Sequence, residues 1–147
     1  IGFGIEWDTS LSGSTQNPPA TLQFSAGTCV VILLHVLHSQ RNSPKELPSV
    51  VAALLEDEVT FPGVGIKGDC TRIDNFFGIT VANAVDLATL VQMRKVPIGQ
   101  KRGLADLCSD LLGRRLLKDP AVRLSRWNRR EFSPDHISYV HTLRFIV

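Results

Sequence analysis

The sequence predicts a single α/β domain over residues 1–147, in which helices cover a mixed β-sheet. Two observations carry this prediction. Three strand-like segments come first, with a hairpin signal between the second and third, and later strand-like segments alternate with helical ones. The chain of 147 residues is 44% hydrophobic and 20% charged, which suits one domain with a substantial core.

The predicted strands are short apolar runs bounded by turn residues. Residues 8–20 contain Ser-Gly-Ser and Pro-Pro and are expected to form a loop. Ala26 and Gly27 form a hairpin signal between the second and third strands. The predicted strands are residues 1–7, 21–25, 28–34, 59–66 and 81–87.

The predicted helices begin at residues that can start or cap a helix. Ser43 and Ser133 are N-cap candidates, and each precedes a proline that suits the first helical position. Gly113 is a natural C-cap, and residues 114–132 are expected to be mostly irregular. The predicted helices are residues 43–57, 68–77, 103–112 and a last helix from Ser133. The apolar face of the first is expected to contain Leu47, Val50, Val51, Leu54 and Leu55.

Positive charge is concentrated in the second half of the chain. Between Arg94 and Arg130 there are eleven Lys or Arg and three Asp, a charge of +8, whereas the remaining residues carry −6 and the whole chain +2. This polarity favours a basic face that binds a polyanion. A solvated helical surface is the alternative explanation of the same pattern.

The cysteines and apolar runs bear on the cellular setting. Cys29, Cys70 and Cys108 form no C-x-x-C pair, which disfavours a disulfide framework or zinc knuckle and favours a reducing compartment. The longest apolar run, residues 29–34, is too short to span a membrane, and no membrane partner is expected. Because the chain starts inside a predicted strand, we expect flanking sequence, including any targeting segment, at its ends.

Glu6 is unusual because it lies in the apolar opening segment IGFGIEW. A buried carboxylate is costly unless it is paired, hydrogen-bonded or bound to a metal. Gly4 stands two residues before Glu6, on the same face of the predicted strand.

Four stretches of the sequence carry a family resemblance: GFGIEW, GVGIKGD, GLADLCSDLLGRRLLKD and RLSRWNRREFSPDHISY. In this order they resemble the DEDDy family of 3′–5′ exonucleases on the ribonuclease H-like fold. The Werner-helicase exonuclease domain and its plant and fungal cousins are the nearest likeness, and ribonuclease D is more distant. The resemblance spans nearly the whole chain.

The resemblance implies a site of four carboxylates that hold two divalent metal ions. It places two of them in D-x-E on the first strand, one at the start of a helix and one in Y-x-x-x-D on the last helix. Glu6, Asp69 and Tyr139 match this pattern. Gly4 and Leu143 stand where the other two carboxylates are expected, so no intact catalytic set and no metal site is predicted.

Several residues could serve as substitute ligands, and each also has a simpler role. Asp8 follows Glu6 at strand spacing, and His136 and His141 lie on the last helix, but each histidine is more typical of a packing or surface residue. Glu6 is expected to bond a backbone amide, water, or a side chain such as His136 or Tyr139. Asp69 also suits a helix N-cap.

Aromatic and cysteine side chains have a structural alternative to a role in binding. Tyr139 can simply pack between the last helix and the sheet. Trp7 and Trp127 are more typical of core or lid residues than of base-stacking platforms. Cys70 and Cys108 fit small core positions.

The sequence leaves three functions open. The favoured one is a catalytically degenerate exonuclease-like domain that binds nucleic acid, RNA rather than DNA, or serves as an architectural subunit of a larger ribonucleoprotein assembly such as an organellar ribosome. Such a protein would lie in the mitochondrion, another organelle or the nucleus. The alternatives are an active exonuclease with an altered Mg²⁺ or Mn²⁺ site and a protein-binding scaffold. The predicted phosphate contacts are Arg114, Arg115, Lys118, Arg123, Arg126, Arg129 and Arg130.

Overall fold

A computed structural model of the chain describes residues 1–9, 17–27, 30–38, 46–116 and 118–141. It confirms the α/β prediction and the order of the predicted elements, and it adds two short helices. The elements are β1 (Gly2–Trp7), β2 (Pro19–Ala26), β3 (Val30–His35), α1 (Ser49–Glu56), β4 (Thr60–Gly63), α2 (Ile66–Phe77), β5 (Asn83–Asp86), α3 (Leu87–Met93), α4 (Leu104–Leu112), α5 (Pro120–Arg123) and α6 (Pro134–His141).

The strands combine antiparallel and parallel pairing. β1, β2 and β3 form an antiparallel sheet in that order, and β4 pairs with β5 in parallel. β4 also packs beside β1, where the Ile1 nitrogen donates to the Thr60 carbonyl over 3.0 Å. β1 therefore pairs with β2 and packs against β4.

One face of β1 and β2 builds the main hydrophobic core. Phe3, Ile5, Leu22 and Phe24 alternate with polar or small residues, so their side chains share one face. The Phe3 ring lies 5.4 Å from the Phe24 ring and 5.7 Å from the Phe61 ring between centroids. Helices α1 and α2 close this core from above the sheet with buried aliphatic side chains.

The opposite face of the same two strands is polar. Gly4 pairs with Gln23 and Glu6 pairs with Thr21, and the side chains of Gln23 and Thr21 are buried. A second, smaller hydrophobic core consists of Ala20, Trp127, Tyr139 and Val140. Through it, α6 and the segment before α6 pack against the sheet. This arrangement sets Glu6 on the side of the sheet where α6 carries Tyr139.

The first helix differs from its prediction. α1 begins at Ser49 with Pro48 as its N-cap, and the predicted start at Ser43 and Pro44 lies outside the described residues. Val50, predicted on the apolar face, is 73% exposed. The reason is geometric: Val51 and Leu55 face the core, and Val50 is rotated by about 100° from Val51.

Two helices were not predicted, and both start at an aspartate. The Asp86 carboxylate accepts from the Thr89 amide over 2.9 Å and starts α3. The Asp119 carboxylate accepts from the Ala121 amide over 2.8 Å and starts α5 with Pro120 at its first position. These caps are the same kind of signal that correctly predicted the last helix at Ser133.

Candidate functional site

Three residues that are far apart in sequence meet at the polar face of β1. They are Glu6 in β1, Asp69 in α2 and Tyr139 in α6. The Tyr139 hydroxyl and the Asp69 carboxylate are both close enough to the Glu6 carboxylate to shift its pKa, the hydroxyl downward and the second carboxylate upward. Of the two side chains considered as partners of Glu6, Tyr139 on α6 is the one that acts on its pKa.

Local structure explains how Asp69 reaches this place. α2 begins after Gly65, which is in the left-handed region with φ of 69°. The Asp86 carboxylate accepts from the Gly65 amide over 2.8 Å, so another residue holds this helix start. Asp69 lies inside the first turn of α2. The alternative that Asp69 is simply the helix N-cap is therefore wrong.

Burial dominates the electrostatics of the two carboxylates. Removal from water raises the pKa of Glu6 to about 7, and Asp69 adds to this rise while Lys118 and the Tyr139 hydroxyl oppose it. Burial also raises the pKa of Asp69 to about 7, against the attraction of Arg72 and Lys118. Both carboxylates are thus costly to ionise at this position, as expected for buried acids.

Lys118 lies with the carboxylates, whereas the sequence analysis assigned it to the basic surface. Its side chain is partly buried and interacts with both Glu6 and Asp69. Burial lowers the pKa of Lys118, and the two carboxylates oppose that fall. Lys118 therefore differs in its burial from the exposed arginines with which it was grouped, one of which, Arg123, also lowers the pKa of Glu6. We call Glu6, Asp69, Lys118 and Tyr139 the site cluster.

Arg72 supplies a second cation beside the site cluster. Its guanidinium lies 3.9 Å from the Trp7 ring centroid and donates to the Asn17 carbonyl over 2.5 Å. It also favours the ionised form of Asp69. Sequence reasoning missed Arg72, although Asp69 and Arg72 are three residues apart on one helix, a spacing that brings side chains together. Trp7 accordingly has a packing partner on its ring face.

The donor set does not fit the two-metal site that the resemblance implies. Gly4 brings no side-chain oxygen to the face it shares with Glu6, and Lys118 places a positive charge beside Glu6 and Asp69. Within the described ranges, no group of three or more His, Cys, Asp or Glu could hold a metal ion. Leu143, the other predicted loss, lies outside the described residues.

The residues considered as substitute ligands have other surroundings. β1 ends at Trp7, and its register shifts between Glu6 and Trp7, so the alternation that put Asp8 on the Glu6 face does not continue. Asp8 is buried, and its carbonyl accepts from the Asn17 side chain. His136 is buried, with one ring nitrogen 2.9 Å from the Ser125 hydroxyl. His141 is exposed at the end of α6.

Most of the predicted phosphate-binding residues lie on the surface. We call residues 114–130 the basic segment. Trp127 anchors it: this side chain is fully buried, and its indole nitrogen donates to the Arg123 carbonyl over 3.3 Å. Trp127 is therefore a core residue. The exposed members are Arg114, Arg115, Arg123, Arg126, Arg129 and Arg130.

Several solved structures that resemble this chain are nucleases. The exonuclease domain of EXD2, soaked in Mn, matches with a TM-score of 0.56 and 22% identity over 99% of this chain and 70% of that one. The NrnC protein of Brucella melitensis, bound to pGG, matches with a TM-score of 0.73 and 19% identity, covering 98% and 66%. An apo nuclease matches with a TM-score of 0.79 and 17% identity, covering 99% and 66%. The domain thus has the ribonuclease H-like fold of exonuclease domains.

Sequence relatives give the more particular identification. The chain is 28% identical over 144 residues to a 3′–5′ exonuclease of Arabidopsis thaliana, covering 97% of this chain and 48% of that protein. It is 27% identical over 143 residues to the bifunctional 3′–5′ exonuclease/ATP-dependent helicase WRN of Mus musculus, covering 97% and 10%. It is 30% identical over 141 residues to exonuclease 3′–5′ domain-containing protein 2 of Drosophila melanogaster, covering 95% and 22%. The chain is a 3′–5′ exonuclease-like domain.

The likeness covers only part of each relative. The chain spans about half or less of the length of the three curated relatives. No protein-family model matches the chain. Throughout the described ranges, each helix is too short or too polar to cross a lipid bilayer.

Proposed function

We propose that this chain is a catalytically degenerate 3′–5′ exonuclease-like domain that binds nucleic acid, RNA in preference to DNA, as a subunit of a larger ribonucleoprotein assembly. The observation that carries the proposal is the charge balance at the site. The Glu6 and Asp69 carboxylates interact with Lys118, and Arg72 also acts on Asp69. Two internal cations thus accompany two carboxylates in a place where the resemblance implies metal ions.

The loss of ligands supports the same conclusion. A two-metal mechanism requires ions about 4 Å apart, held by oxygen ligands that bridge them and balance their charge. Gly4 removes the carboxylate that the resemblance makes the bridge, and Leu143 removes another. Hard cations such as Mg²⁺ prefer several oxygen ligands. A site with Glu6, Asp69 and an ammonium group should hold them poorly.

The basic segment supplies the binding half of the proposal. Its six exposed arginines face solvent, whereas Asp119 is engaged as the N-cap of α5. Arginine binds phosphate oxygens with two parallel hydrogen bonds, and such contacts give affinity without reading sequence. The described Trp and Tyr side chains near this segment, Trp127 and Tyr139, are buried. We therefore expect recognition of the sugar–phosphate backbone rather than of stacked bases.

A binding titration with chelator present tests this proposal. Labelled single-stranded RNA, single-stranded DNA and duplex RNA are titrated in EDTA at several salt concentrations. The variant Arg126→Gln, Arg129→Gln, Arg130→Gln should weaken binding and reduce the salt slope by about 0.7–0.9 for each arginine–phosphate pair removed. The control Arg94→Gln, Lys95→Gln, Lys101→Gln removes the same charge outside the basic segment. If both variants bind like the parent, the basic segment does not hold the nucleic acid.

An active exonuclease is the second candidate, because Glu6, Asp69 and Tyr139 still meet as the resemblance implies. The EXD2 exonuclease domain among the structural neighbours was soaked in Mn. Under this candidate, a partner protein or a rearranged ligand supplies the missing oxygens for Mg²⁺ or Mn²⁺. Metal-dependent digestion that disappears in Glu6→Gln would favour it over the degenerate domain.

A protein-binding scaffold is favoured by one feature of the surface. An apolar groove lies between β3 and α1, and its lining includes Val30, Ile32 and Val50, which are exposed. Exposed apolar patches commonly mark interaction sites. If the full protein binds no nucleic acid in the titration above, this groove is the first surface to test.

A further inference from the structure

The start of α6 is held by an imidazole ring. The Ser133 amide donates to His136 Nδ1 over 3.3 Å, and the Ser133 hydroxyl lies 2.7 Å from the same nitrogen. Amides at a helix start need acceptors from outside the helix, and a Glu or Gln three residues after the N-cap often serves. His136 occupies that third position in α6. The acceptor here is therefore a side chain that can become a cation.

The hydrogen bonds define the protonation state of this ring. A backbone amide can only donate, so His136 Nδ1 is the acceptor and the ring is neutral with its proton on Nε2. Nε2 lies 2.9 Å from the Ser125 hydroxyl, which donates in turn to the Val122 carbonyl over 2.6 Å. The Ser125 proton is thus committed to a carbonyl, and the Ser125–His136 contact links α5 to α6 rather than forming a nucleophilic pair.

We propose that His136 is a pH-sensitive cap of α6, which holds the Ser133 amide when neutral and releases it when protonated. A protonated ring carries N–H groups on both nitrogens and cannot accept from the amide. The Ser133 hydroxyl can rotate to accept from the ring, but the amide cannot. This inference goes beyond the proposed function and does not depend on nucleic-acid binding.

The surroundings of His136 favour its neutral form. The ring is 4% exposed and packs 4.8 Å from the Trp127 ring and 5.7 Å from the Phe132 ring between centroids. Burial and the charge of Arg129 lower the pKa of His136, and Asp135 opposes this shift. Arg129 and Asp135 lie on the two segments that flank the ring. Because burial and Arg129 outweigh Asp135, the neutral form of His136 is favoured.

Two more histidines join the same aromatic cluster, His35 at the end of β3 and His38 in the turn that follows it. The His35 ring lies 4.6 Å from the Phe132 ring and 4.7 Å from the His38 ring between centroids. His38 Nε2 lies 2.6 Å from the Asn128 carbonyl, a contact that requires a proton on this nitrogen. Burial and the neighbouring His38 lower the pKa of His35. Protonation of either His35 or His136 therefore places a charge beside the Phe132 ring.

Opening of the cap has consequences for both functional regions. Tyr139, the partner of Glu6, lies one turn after His136 on α6. Trp127, which anchors the basic segment, contacts the His136 ring and lies 5.6 Å from the Tyr139 ring between centroids. Release of the cap therefore loosens the packing that joins the site cluster to the basic segment.

Imidazole NMR of the isotope-labelled chain tests the proposal directly. At neutral pH we expect His136 to carry its proton on Nε2, and the Ser133 amide resonance to shift in step with His136 as pH is lowered. A ring with its proton on Nδ1, or a Ser133 amide that ignores the His136 titration, overturns the proposal. This measurement uses the parent chain and needs no variant to fold.

A matched variant gives a second readout. His136→Gln keeps an acceptor at the third position but cannot titrate, and His141→Gln removes an exposed histidine of the same helix. As pH falls from 7.5 to 5.5, the unfolding equilibrium constant of the parent and of His141→Gln should rise by up to about tenfold per pH unit more than that of His136→Gln. Equal pH dependence in the parent and His136→Gln contradicts the proposal.

Discussion

The site cluster and the basic segment differ in how far their charged side chains are exposed to solvent. In the site cluster, the carboxylates of Glu6 and Asp69 are largely removed from water and interact with Lys118. In the basic segment, arginines such as Arg126 and Arg129 are exposed. Charge that is buried must be balanced inside the protein, whereas exposed charge can be balanced by a ligand. The comparison therefore supports the proposal that the first region has a structural role and the second a binding role.

The two regions nevertheless share one hydrophobic core. Trp127 anchors the basic segment, and the Tyr139 hydroxyl in the site cluster acts on the pKa of Glu6. Their rings lie 5.6 Å apart between centroids in the second hydrophobic core. A substitution that disturbs this core would affect both regions at once. To test the charges of one region alone, the substitution must leave Trp127 and Tyr139 in place.

Removal of the internal cation should produce the largest effect on stability. Lys118→Met leaves Glu6 and Asp69 without the ammonium group that favours their ionised forms. Loss of one partner from a buried pair costs roughly 3–5 kcal/mol, and partial exposure here reduces the expected loss to roughly 1–3 kcal/mol at pH 7.5. Urea unfolding of parent and variant measures the change.

The matched control is Arg126→Met, which removes an exposed cation from the basic segment and should stay within about 0.5 kcal/mol of the parent. Glu6→Gln added to Lys118→Met should recover part of the stability, because it removes the carboxylate left without its partner. Equal losses for Lys118→Met and Arg126→Met would remove the distinction between the two regions.

The site cluster should make the stability of the protein decrease as pH rises toward 7. The pKa of Glu6 and that of Asp69 are raised to about 7, above the ordinary values of 4.5 and 3.8. The folded state thus binds more protons than the unfolded state between about pH 4 and 7. The stabilisation from these groups is present at low pH and is lost as pH rises through 7.

Glu6→Gln removes one of these groups from the titration. As pH rises from about 4 to just above 7, the variant should therefore lose less stability than the parent, by an amount on the order of 1 kcal/mol. Glu56→Gln, at the exposed end of α1, is the control and should follow the parent across this range. A Glu6→Gln curve that runs parallel to that of the parent would show that Glu6 titrates normally.

The smallest expected effect concerns the geometry of Arg72. Arg72→Lys keeps the charge beside Asp69 but cannot lie flat over the Trp7 ring while donating to the Asn17 carbonyl. A loss of about 1 kcal/mol is expected from the cation–π and hydrogen-bond interactions. Chemical unfolding followed by Trp fluorescence measures it. A variant as stable as the parent would assign Arg72 to charge alone.

Most of the fold could be predicted from local signals in the sequence. The alternation of apolar residues set β1, and the glycine after α4 fixed its end at Gly113. Asp86 and Asp119 are N-caps of the same kind, but neither was recognised from the sequence. Asp86 ends a predicted strand, and Asp119 lies in a basic stretch that was expected to be irregular. Val50 could not be placed without knowing which neighbours cover α1.

The candidate site was predictable in part, for a physical reason. The meeting of Glu6, Asp69 and Tyr139 followed from the family resemblance, since each residue matched a motif. Lys118 did not, because its distance to Glu6 depends on how the segment before α5 folds back across the sheet. In the charge count, Lys118 was one of several Lys and Arg residues between positions 94 and 130. Its burial distinguishes it from the exposed arginines of the basic segment.

Hydrolysis of nucleic-acid ends by the purified chain tests the central claim most directly. End-labelled RNA and DNA are incubated with Mg²⁺ or Mn²⁺, beside Glu6→Gln as a control for contaminating nuclease. We predict no nucleotide release by the parent, a reduction greater than the roughly 10²–10³-fold expected for one electrostatic contact. The paired change Gly4→Asp with Leu143→Asp, made alone and with Lys118→Ala, should restore metal-dependent digestion in part. Metal-dependent 3′–5′ digestion by the parent, abolished by Glu6→Gln, would contradict the account.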